Sequence, residues 1–281
     1  MGMREFQQRH NALQAVSQVA PSHAVKKAVV AQYGSDYSVL EIALKNDVNV
    51  IRALPTLELR AEMKRDKFLP HWLPFVDEYF TKGVNYQNDI VGYCIVYLFD
   101  VGDFERALSL ADKAIAQGQS LPERFNSTLP HFVADQVYKW AEKQAGVGLS
   151  VEPYFTQTFK NVAKVWQLHE IVVAKWLKLA AALLLRTKDG QVQASGIDDP
   201  EKIILAINLC NRAYQLNYKA GVKTLIERSL MRLNALEQAG IYHPNEFSPV
   251  VGLSLEPVQI DVEAVVRKLC ADPLLTRGDH V

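Results

Sequence analysis

An all-α fold is predicted, built from helical hairpins of tetratricopeptide-like character between a basic N-terminal arm and a mixed C-terminal tail. Three observations predict it. Apolar residues recur at helical spacing, as in Val39, Leu40, Ala43, Leu44, Val48 and Ile51. Start signals precede such stretches: Thr56, Asp103 and the Asp199-Pro200-Glu201 triplet. Alanines at 107, 111 and 114 share one helix face, as close helix packing requires.

Taken in order, residues 1–35 form a polar arm expected to hold one short helix and interrupted by Pro21 and Gly34; its side chains sum to about +3. A helical domain over 36–146 follows. Its first helix begins at Asp36 and is broken by Pro55, which supplies no amide hydrogen. The charged stretch 56–67 is a second helix, capped by Thr56. At 64–75 the chain turns basic, then aromatic and proline-rich. Pro70 and Pro74 argue for a helix end, a tight connection and a new helix near Pro74. A hairpin comes next: an apolar run over 86–99, a turn at Asp100-Val101-Gly102-Asp103, and an alanine-lined helix from Asp103.

A second hairpin domain spans 147–240. Its apolar run at 171–185 ends at Lys188-Asp189-Gly190, and a polar loop leads to Asp199-Pro200, where proline at the first helical position marks a helix start. That helix carries Leu205, Ala206, Leu209, Ala213 and Leu216, and another amphipathic helix covers 219–236. The tail, 241–281, has an alternating run at 251–255 that suggests a short strand, and a helix over 261–271 suited to docking on a neighbour or partner.

The totals narrow the function. The 281 residues can bury a substantial core. Lysine plus arginine equals aspartate plus glutamate at 31 each, so any hold on nucleic acid comes from local clusters or from repeating a small patch around an oligomer. Cys94, Cys210 and Cys270 lie far apart in apolar helical contexts, offer no CxxC pair, and read as buried small hydrophobes of a reducing cytoplasm. The opening MGMREFQQRH has no apolar signal-peptide core, and no stretch reaches the ~18 apolar residues of a membrane helix.

Several blocks in order resemble the small terminase subunits of peduovirus-type phages. They are Lys64-Arg65 with Leu69-Pro70-His71-Trp72-Leu73-Pro74-Phe75; Asn88-Asp89; the 100–103 turn; Ala107-Leu108; Leu121-Pro122; Pro130-His131-Phe132; and Ala220-Gly221-Val222-Lys223 with Ile226-Glu227-Arg228. The resemblance covers about residues 55–236. It implies a protein that binds double-stranded phage DNA at the packaging start, assembles as a homo-oligomeric ring, and works in the host cytoplasm with a large subunit that hydrolyses ATP. The family also carries the label endonuclease. Two features depart from the family: residues 240–281 lack its lysine- and arginine-rich tail, and polar residues are inserted around 191–198.

The candidate DNA contacts are Arg4, Arg9, Lys26 and Lys27 in the arm and Lys64, Arg65 and Lys67 at the aromatic segment. Such cations neutralise phosphates and release counterions. The competing reading of the second cluster is a solvated helix face. Trp72 is read as core beside the prolines rather than as a stacking platform. A nuclease would need clustered carboxylates holding Mg²⁺, with Asp89, Asp100, Asp103 and Glu105 as candidates, though Asp100 and Asp103 read first as helix caps. Glu62-Met63-Lys64 has the spacing of a metal-nuclease ExK element but falls in a helix instead of a strand. No HxH, HExxH or GxxxxGK[ST] pattern occurs, so no metal site, ATP site or other cofactor is expected. The preferred reading is therefore a DNA-recognition subunit, with an endonuclease that cuts at the packaging site, or a helical-repeat adaptor that binds protein and not DNA, as the alternatives.

Overall fold

The computed structural model describes residues 35–187, 190–246, 252–254 and 257–272. Arg4, Arg9, Lys26 and Lys27 lie outside the described residues. Among those described there is no strand, only an isolated antiparallel bridge between Arg186 and Val192. The all-α expectation holds. The chain divides between Val133 and Ala134 into two units.

In unit 1, helix α1 (Ser35–Ala53) buries Leu44, Val48 and Ile51 and stops before Pro55. Thr56 then caps α2 (Leu57–Met63), its hydroxyl accepting from the Leu59 amide at 3.2 Å. The expected break at the prolines does not occur. The helix widens into a π turn over Lys64–Phe68 and runs straight on as α3 (Leu69–Thr81), with Pro70 in its first turn and Pro74 inside it. An α turn would press the Pro70 ring against the carbonyl four residues back. The π turn opens that spacing, with the Leu69 amide reaching Lys64 O.

The centre of unit 1 is α4 (Asp89–Asp100), capped by the Asn88 side chain and buried almost all round. Gly92 belongs here because a Cβ would lie 2.5 Å from Pro122 Cδ. A tight turn with Gly102 at φ +83° leads to α5 (Phe104–Ala116), which lays Ala107, Ala111 and Ala114 wholly out of solvent. Asp103 caps α5 as expected, accepting from the Arg106 amide at 3.1 Å. Asp100 caps nothing at a helix start: it is the last residue of α4 and pairs with Lys64. Helix α6 (Leu129–Gly146) carries the chain from unit 1 into unit 2.

Unit 2 continues with α7 (Tyr154–Lys160), which passes into a second π turn over Asn161–Val165. Next come α8 (Glu170–Leu184), α9 (Pro200–Leu216) and α10 (Lys223–Gln238). Trp176 of α8 stacks on Phe155 at 5.1 Å between ring centres. Asp199 caps α9 and Pro200 opens it, the arrangement read from the sequence. The two hairpins, α4–α5 and α8–α9, are present. Their connections are a tight turn at 101–103 and the long 185–199 segment, and neither marks them as copies of one repeat.

The tail is held by its own chain. Buried Asn211 donates to Gly252 O at 3.1 Å and accepts from the Ser254 amide at 3.2 Å, so 252–254 runs along α9 without forming a strand; Val251 and Leu255 lie outside the described residues. The helix expected at 261–271 is α11 (Val262–Cys270). It buries Val262, Val265, Val266 and Leu269 within unit 2 instead of leaving them for a neighbour. Lys268 reaches both Asp199 at 2.8 Å and Glu201 at 2.6 Å, and Lys164 reaches Glu263 at 2.9 Å. Cys94 and Cys210 are buried as expected, and burial pushes the Cys210 thiol up to about 12. Cys270, the last residue of α11, is exposed, and its thiol lies 3.9 Å from the Thr156 hydroxyl oxygen.

Candidate nucleic-acid interface

The π turn decides where the second basic cluster points. Phe68 and Trp72 face inward, with Phe68 edge-on to Tyr97 at 4.6 Å and Trp72 wholly buried. The Trp72 indole donates to Asp47 Oδ2 at 2.9 Å. A buried indole needs such a partner, and one that has it is committed to the core and not to stacking on a base.

With that face fixed inward, the three cations part company. Lys64 turns in: its side chain is 14% exposed, and its ammonium contacts Asp100 at 2.7 Å and lies 4.6 Å from the centre of the Tyr97 ring. Burial pushes the Tyr97 hydroxyl up to about 12, so the ring beneath Lys64 stays neutral. Arg65 and Lys67 are exposed, and neither is paired with a described carboxylate. Two residues apart on a helical segment they point to different sides, so they would meet different phosphates. Lys67 also lines an open groove of about 400 Å³ with Asp47, Val50, Met63, Phe68 and His71.

The carboxylates considered for Mg²⁺ do not converge. Asp100 is held by Lys64, Asp103 is engaged by the Arg106 amide and by Arg106 Nε at 2.5 Å, Asp89 opens α4, and Glu105 projects from α5 as an exposed residue. Glu62 and Lys64 are two positions apart in a helical run, so their side chains diverge where an ExK element needs them together. Among the described residues no group of three or more His, Cys, Asp or Glu side chains could hold a metal ion. No helix among them is long and apolar enough to cross a membrane.

An all-helical chain whose aromatic core carries basic side chains outward agrees with the resemblance drawn from its motif blocks, and comparison with known proteins establishes the class. The chain belongs to the phage small terminase subunit family, whose model matches residues 41–171. It is 62% identical over 274 residues, 98% of its own length and 97% of the relative's, to the probable terminase, endonuclease subunit, of Haemophilus phage HP1 (strain HP1c1). It is 30% identical over 206 residues, 73% of this chain and 77% of the relative, to the terminase, endonuclease subunit, of Escherichia phage P2. No solved structure matches it. Membership in this family gives the chain a role in phage DNA packaging.

Proposed function

We propose that the protein is the DNA-recognition subunit of a terminase: it binds double-stranded phage DNA at the packaging start in the host cytoplasm, assembles with copies of itself, and hands the DNA to a large ATP-hydrolysing subunit. The observation that carries the DNA contact is the outward placement of Arg65 and Lys67 without carboxylate partners, on a segment anchored by Phe68 and Trp72. A near-neutral subunit suffices when several copies present the same few cations to one duplex. Arg4, Arg9, Lys26 and Lys27 would add to it from the arm. Recognition without cleavage is favoured because the candidate carboxylates do not converge: Asp103 caps α5, Asp100 pairs with Lys64, and Asp89 and Glu105 stand on different helices.

Equilibrium binding to phage duplex DNA across a salt series tests this reading. Each phosphate contact contributes a slope of about −0.9 in log K against log salt. The double change Arg65→Ala, Lys67→Ala should flatten the slope by about 2. Binding that ignores salt, or no binding by the wild type, would sink the reading. The endonuclease reading rests on the label carried by the relatives. Cleavage of the same DNA by this chain alone with Mg²⁺, lost on Asp89→Ala, would establish it instead.

A further inference from the structure

We infer that unit 2 carries a second duplex-DNA contact, at the turn between α9 and α10, formed by Lys178, Lys219 and Lys223 with Tyr214 and Tyr218. The inference rests on the DNA-recognition reading above and names a site for it outside the π turn.

The cations of unit 2 are sorted. Those near α11 and the start of α9 are neutralised: Lys164 by Glu263, Lys202 by Asp272, Lys268 by Asp199 and Glu201, and Arg267 by Glu201. At the other end of α9, Lys178, Lys219 and Lys223 are exposed, and none is paired with a described carboxylate. Residues 171–188 and 202–226 contain no aspartate or glutamate, and Glu227, one turn along α10 from Lys223, makes no ion pair with it. Like charges left unneutralised on a folded surface repel one another, and a polyanion relieves that repulsion.

The lysines are also placed. Lys178 Nζ donates to Ala220 O at 2.9 Å, which fixes the ammonium over the turn and leaves two of its three N–H donors for a phosphate. Gly221, at φ +70°, makes room: a Cβ there would lie 3.3 Å from Lys178 Nζ. Lys219 Nζ lies 5.4 Å from the Tyr218 ring centre, and Lys223 Nζ lies 5.6 Å from that of Tyr214. These contacts hold two flexible cations near the turn at small electrostatic cost. Tyr218 is 68% exposed and offers a hydroxyl donor and a flat face beside the cations. The positive end of α10 opens in the same turn and adds to the field of the lysines, without being a site by itself.

Nucleic acid fits this surface better than a protein partner does. A protein interface needs an apolar centre with the charges at its rim. Here the exposed side chains that meet at the turn include three lysines and Tyr218, the composition of a phosphate-contacting surface.

The full chain, with phage duplex DNA and a scrambled duplex of equal length, provides the test. The double change Lys219→Gln, Lys223→Gln should weaken both duplexes equally and reduce the salt slope by about 2. Lys219→Arg, Lys223→Arg should restore binding. Lys164→Gln, which removes a paired cation, should leave the slope unchanged. Wild-type binding with an unaltered slope in the glutamine variant would overturn this site while leaving the DNA-recognition reading intact. Retained DNA binding with lost capture of the large subunit would reassign the surface to a protein partner. A wild type that binds neither duplex would end the broader reading, and this site with it.

Discussion

At Glu152 a carboxylate is carried into the interior of unit 2 with only one of its oxygens partnered. Oε2 accepts from the Thr156 hydroxyl and, at 3.4 Å, from the Thr156 amide, whereas Oε1 is buried with no hydrogen-bond partner. Burial pushes this carboxyl above the usual range, outweighing the two Thr156 hydrogen bonds. The folded state therefore holds the proton more tightly than the unfolded chain does. Stability is full below the unfolded value of about 4.3 and declines as pH rises through the folded value. Glu152→Gln removes the charge and should abolish this decline, so the variant matches or exceeds wild type in thermal stability at pH 7. A variant with an unchanged pH profile would show that another group is responsible. Lys64, at partial burial, is better partnered: its ammonium contacts Asp100 at 2.7 Å and lies 4.6 Å from the centre of the Tyr97 ring.

Among the elements, the continuous run α2–π turn–α3 departs most from simple rules. Two prolines four residues apart argue for a break, yet the helix continues, because the aromatic face formed by Phe68, Trp72, Val76 and Tyr79 gains more by burial than the lost hydrogen bonds cost. Pro74 is exposed and lies inside α3, where it cannot donate to the Pro70 carbonyl. Pro74→Ala restores that donor on the solvent side. It should stabilise the protein by about 1 kcal/mol or more in denaturant unfolding, even after the added entropy of the unfolded chain is counted. A destabilised variant would mean that the proline sets a bend the core requires. The tail helix α11 is a second such element. Burial opposes the Asp199 charge, but hydrogen bonds from Lys268 and from the Lys202 and Glu201 amides hold its carboxyl below the usual range. That contribution to holding α11 is present above about pH 4 and is lost as pH falls through the lower folded value.

For the molecule as a whole, a balanced charge of 31 against 31 hides an uneven distribution. Ion pairs consume the cations around α11 and Lys64 of the first π turn, and leave Arg65 and Lys67 in unit 1 and the lysines of the α9–α10 turn in unit 2 to face outward. On the DNA-recognition reading one subunit offers few phosphate contacts, so a firm hold on DNA at physiological salt calls for several subunits. Light scattering or analytical ultracentrifugation should give a mass that is a multiple of 31.6 kDa. A monomer at micromolar concentration would leave that multiplication without a basis.

What the sequence determined by itself is local. Thr56, Asp103 and Asp199 announce their helices because a cap bonds amides only two or three residues away. The alanine face of α5 and the apolar length of α4 follow from a 3.6-residue period written in the chain. The family blocks were legible for the same reason, as short runs in a fixed order. Tertiary structure alone decided which charges remain outward. Lys64 lies in the same basic run as Arg65 and Lys67, yet it turns inward to Asp100, a partner 36 residues along the chain. The α11 lysine finds Asp199 across 69 residues, and Tyr218 with Lys219 becomes a patch only when Lys178 arrives from α8. Charge pairing acts through space over a few ångströms, and chain spacing carries no record of which distant partner will fall within that reach.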